Sequence, residues 1–98
     1  MIALMSERTA EALAKIDVLI PLIRALPLNA DTAKLTEEAE ALRRAVAAFH
    51  LEAIRFRMFN VDRQIKHTGD EGGMRQAFEA VRDALEKAGF HTRSHTAP

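Results

Sequence analysis

Residues 48–65 read AFHLEAIRFRMFNVDRQI, and the fold turns on whether a helix runs straight through this stretch or breaks inside it. Apolar side chains alternate with His50, Arg55, Arg57 and Arg63 at a spacing that suits neither a simple amphipathic helix nor a loop. No Gly or Pro occurs from Asn29 to Thr68, so the simplest reading is continuity. That gives a helix of roughly 37 residues, about 55 Å long at about 1.5 Å per residue.

Taken as one helix, the stretch carries two apolar stripes. Leu42, Val46, Phe49, Ala53 and Phe56 form the first. Ala47, Leu51, Ile54, Met58, Val61 and Ile65 form the second, roughly 140° away around the axis. A helix that is apolar on two sides needs two neighbours.

The neighbours on offer are shorter. A first helix begins near Ser6, or a turn earlier with Ile2, and carries Ala12, Leu13, Ile16, Leu19, Ile20, Ile23 and Leu26 at steps of three and four. Pro21 lies inside that pattern and predicts a kink. The PLNAD segment, residues 27–31, ends it and offers Asn29 or Asp31 as the next cap.

TGDEGG, residues 68–73, is the second break and holds three of the four glycines. Asp70 and Glu71 are placed to cap the helix that follows. That last helix presents Met74, Ala77, Phe78, Val81, Leu85 and Ala88 on one face and stops at Gly89 and Phe90.

The expected architecture is therefore all-α, with a short kinked helix, a long central one and a short third forming a bundle. Residues 1–90 make a single domain and residues 91–98 a tail. A 55 Å rod does not fit inside a domain whose radius of gyration should be about 13 Å. The expected remedy is a second copy across a twofold axis, with Leu51, Ile54, Met58, Val61 and Ile65 at the contact. The alternative is a break near Asn60 and a four-helix bundle complete in one chain.

Composition narrows the function classes. With 48% hydrophobic and 29% charged residues the chain is globular in character. Lysine plus arginine equal aspartate plus glutamate at 14 each, so no global field collects nucleic acid. Cysteine is absent, which excludes disulfides and thiolate chemistry and fits the cytoplasm. The apolar run in MIALMSER is too short for a signal-peptide core, and no run is long enough to span a membrane. The aromatic residues are five Phe, without Trp or Tyr, a poor set for stacking bases.

One polar pattern stands out. Arg43, His50, Arg57 and Gln64 recur every seven residues and drift only about 20° per step, so on a continuous helix they run between the two apolar stripes. Such a line either pairs with carboxylates and fixes register or floors a pocket for a carboxylate or phosphate. His91 and His95 fall beyond the last helix, and no ligand set for a metal and no cofactor motif is present. No nucleophile and base stand at a recognisable spacing. The expected role is a small interaction module acting as a homo-oligomer and binding another protein, as an adaptor, chaperone-like or regulatory subunit. An enzyme or sensor gripping an anion through Arg43, His50 and Arg57 is the alternative.

Overall fold

The computed structural model describes the backbone of residues 2–69 and 73–91, and the side chains of residues 9–69 and 73–91. Asp70 and Glu71, and the tail beyond His91 with His95, lie outside the described residues. Four helices follow in order: α1 (Ile2–Arg24), α2 (Ala30–Ala47), α3 (Leu51–Thr68) and α4 (Met74–Lys87). Among the described residues the chain is all-helical as expected, with four helices instead of three.

The difference lies in the stretch that decides the fold. The long central helix is two helices, parted by Ala48, Phe49 and His50 and not near Asn60. Phe49 takes the left-handed conformation with φ 58°. Its N–H donates to the Val46 carbonyl at 3.0 Å, and the His50 N–H donates to the Ala45 carbonyl at 3.1 Å. This crossed pair of bonds is the Schellman stop, which satisfies carbonyls left over at a helix end and usually places glycine where Phe49 stands. His50 then starts α3, its Nδ1 accepting the Ala53 N–H at 3.2 Å.

The break also explains the two stripes. A turn between helices resets the rotational phase, so faces far apart on one straight helix can both look at one core. Leu35, Ala39, Leu42, Ala45 and Val46 of α2 are buried, and so are Ile54, Met58, Val61 and Ile65 of α3. Of the five residues expected at a contact between copies, those four lie inside the chain's own core, and only Leu51 is at the surface, 46% exposed. Phe56, expected in a stripe, points outward at 56% exposure.

The other helices match their patterns. Ala12, Ile16, Leu19, Ile20 and Ile23 are buried along α1, which runs through Pro21 to Arg24. Met74, Phe78, Val81 and Leu85 are buried along α4. Asn29 caps α2: its Oδ1 accepts the Thr32 N–H and the Thr32 Oγ1 accepts the Asn29 N–H, both at 2.9 Å. After α4, Gly89 at φ 99° closes the helix and Phe90 folds back into the core at 5% exposure.

Short turns make successive helices antiparallel. Between α1 and α2 the pairs Asp17 with Arg43 and Arg24 with Glu40 step in opposite directions along the two chains. Glu38 with Arg57 and Asp31 with His67 do the same between α2 and α3. α1 packs closely on α2 and α4, α2 packs closely on α3, and α3 touches α4 only lightly.

The radius of gyration is 12.9 Å, against about 13 Å for one compact domain of this size. The accessible surface is 5822 Å², against about 5600 Å² for a folded monomer of this mass. One chain is therefore as compact as a folded domain of its size, with one core cluster drawn from all four helices, and there is no long rod for a second copy to cover. No helix among the described residues is long and apolar enough to cross a membrane.

Candidate functional site

The four residues of the polar line are dispersed by the break. Arg43 sits on α2 and reaches α1, where its Nε and Nη2 donate to the two Asp17 carboxylate oxygens at 2.7 and 3.2 Å. The hydrogen bond from Arg43 holds the Asp17 carboxyl below its usual range. His50 occupies the α2–α3 turn, and its Nδ1 accepts the Ala53 N–H.

Arg57 and Gln64 face α2 from α3. Arg57 Nη1 donates to Glu38 Oε1 at 3.0 Å. Gln64 Nε2 donates to the Asp31 carbonyl at 3.3 Å and to Thr68 Oγ1 at 3.4 Å. The side chains do not converge on a shared space. Glu38 is buried and also receives Asn60 Nδ2 at 3.3 Å and Lys34 Nζ at 3.5 Å. A buried carboxylate with this many donors fixes how α2 sits against α3.

A second cluster occupies the seam where α3 meets α4. Asp62 accepts from Arg75 Nη1 at 2.7 Å and lies 3.7 Å from Lys66 Nζ and 3.9 Å from Arg82 Nη2. Glu79 pairs with Arg75 at 3.4 Å and with Arg82 at 3.2 Å. Beneath these charges Phe78 is fully buried, with the Arg82 and Arg75 guanidinium carbons 5.1 and 5.6 Å from its ring centroid. Burial pushes the Asp62 pKa up. The Arg75 hydrogen bond and the charges of Arg75, Lys66 and Arg82 outweigh it and bring the pKa below the usual carboxylate value. Charged side chains thus cover this seam, where α3 and α4 touch only lightly.

The outward side of α3 forms a third surface. Phe56 is exposed, and the Arg57 guanidinium carbon lies 5.1 Å from its ring centroid. Arg63 stands over the half-buried Phe59 at 5.6 Å. Arg55, Arg57, Arg63 and Lys66 against Glu52 and Asp62 give this helix a formal charge of +2, in a chain whose total is zero. Arg55 Nε is shielded from solvent with no hydrogen-bond partner.

The cavities are shallow. One of about 500 Å³ lies between α1 and α2, lined by Asp17, Ile20, Pro21, Arg24, Glu40, Arg43 and Arg44. Its arginines Arg24 and Arg43 are already paired with Glu40 and Asp17. Another of about 200 Å³ lies at the end of the bundle among Leu26, Pro27, Asn29, Thr32, Thr68 and Gly69. Neither brings a nucleophile to a base. Among the described residues, no three side chains of the His, Asp or Glu type are grouped so as to hold a metal ion.

No protein family matches this chain, and neither a curated protein nor a solved structure matches it.

The seam and the outer face of α3 escape a reading of the sequence alone. Their local signals were present, in the spacing of Asp62 to Lys66, Arg75 to Glu79 and Glu79 to Arg82. Read on an uninterrupted helix, Asp62 and Lys66 fall on a solvated side, and Phe56 falls in an apolar stripe. The phase reset at Phe49 moves Asp62 toward α4 and Phe56 to the outside.

Proposed function

We propose that the chain is a small helical protein–protein interaction module whose working surface is the outward side of α3. The observation that carries this reading is Phe56, the one aromatic ring among the described residues that is exposed, at 56% and beneath an arginine. Aromatic and arginine side chains dominate the binding energy of protein interfaces, because a ring gives much contact area for little lost freedom and a guanidinium gives directed hydrogen bonds.

The chemistry indicates the partner. Arg57 is held by Glu38, and the α3 surface combines Phe56 and half-buried Phe59 with the exposed Arg63, so an apolar segment bearing a carboxylate is its complement. Lack of cysteine suits a partner met in the reducing cytoplasm. Such a module acts as an adaptor, chaperone-like or regulatory subunit, and binding replaces chemistry as its activity.

The test is affinity capture from native extract with the wild-type chain and with F56D, combined with thermal melts of both. Because Phe56 lies outside the core, F56D should keep the wild-type melting temperature to within about 2 °C and lose the proteins that the wild type retains. An identical set of captured proteins from both chains would refute the assignment.

A further inference from the structure

The turn between α2 and α3 is built from residues that do not require a turn. Ala48, Phe49 and His50 include neither Gly nor Pro, and none occurs elsewhere from Ala30 to Thr68. The chain makes the same crossed pair of bonds after α4, where the Phe90 N–H donates to the Leu85 carbonyl at 2.9 Å and the Gly89 N–H donates to the Glu86 carbonyl at 3.0 Å. There the left-handed position holds glycine. At the α2–α3 turn it holds Phe49, whose Cβ crowds the backbone in that conformation.

Tertiary contacts compensate for this strain. The Phe49 ring packs edge to face on Phe90, with centroids 5.2 Å apart and planes at 79°. If Phe49 returns to the right-handed region, α2 and α3 join into one helix from Ala30 to Thr68, about 58 Å long. The α3–α4 half then swings away from its own α1 and α2. Only five residues of sequence, 69–73, separate α3 from α4, so α4 is carried with it.

We propose that the chain exchanges its α3–α4 half with a second copy by straightening at Phe49. Each exchanged half meets on the partner the same surface that it left: α3 on α2, and α4 on α1. Those are the close helix contacts, whereas the light α3–α4 contact stays within each chain. Exchange therefore keeps the core, removes the left-handed Phe49 and brings the exposed Ala47, Ala48 and Leu51 of two long helices together at their crossing. This self-association is independent of the binding role of Phe56.

Two measurements test it. The first is mass by light scattering across a concentration series after refolding. F49G accepts the left-handed turn and should raise the dimer dissociation constant at least about tenfold. F49A removes the ring that holds the turn and adds a strong helix former, and should lower the constant by a similar factor.

The second uses the buried contact between Glu38 and Arg57. E38R and R57E each place like charges at that contact within one chain. Refolded together, an exchanged pair restores opposite charge at both contacts, so the mixed dimer should exceed the statistical half. F49A that stays monomeric at every concentration, or a mixed dimer no more abundant than chance, would overturn the proposal.

Discussion

Asp62 shows how one side chain can close a seam. Its carboxylate gathers Arg75, Lys66 and Arg82 while only 14% of the side chain remains exposed. Its pKa is lower folded than unfolded, so its stabilising contribution is complete above the ordinary carboxylate value of 3.8 and is lost as the pH falls through the lower folded value. D62N should cost about 1–2 kcal/mol at pH 7, from guanidinium groups left with a weaker acceptor. In urea titrations, the gap between wild type and variant should stay constant from pH 7 to about pH 5 and shrink below about pH 4. A gap that widens on acidification would mean that Asp62 is not the anion holding the seam.

At the scale of the element, helix ends decide more than helix interiors do. Asn29 and Thr32 satisfy each other's backbone N–H groups at the start of α2, and Thr32 Oγ1 also lies 2.8 Å from the Pro27 carbonyl. N29A should lower stability by about 1 kcal/mol, measured by chemical denaturation, and N29S should recover most of it. The same local chemistry made the α1–α2 turn and the close of α4 legible in the sequence. Proline and asparagine announce the first, and glycine followed by Phe90 announces the second. The α2–α3 turn carries no such residue. Its Phe49 is held left-handed by a ring 41 residues further along the chain, and no local pattern contains that contact.

For the whole molecule, placing the break at Phe49 turns a long rod that its neighbours could not cover into a closed bundle. Met58 then belongs to the core at 1% exposure. M58A should cost about 2–5 kcal/mol, because the cavity forms inside a packed core that the surrounding helices cannot collapse onto. Chemical denaturation of wild type and variant side by side, at one low concentration of about 1 μM, measures this. The α3 surface also emerges only at this scale: Phe56 is exposed because α2 covers one flank of α3 and the core takes another.

What the sequence determined by itself was the helical character of the described residues, the inward faces of α1 and α4 and two of the three breaks between the helices, since these follow from periodicity and from residues with fixed backbone preferences. Tertiary structure decided the place of the third turn, and with it the number of helices, the partners of Arg43, His50, Arg57 and Gln64, and the side of α3 that meets solvent. The reason is rotational phase. A single residue turned left-handed by a distant contact rotates everything after it, and the pattern of apolar residues alone does not distinguish one helix with two covered faces from two helices that share one core.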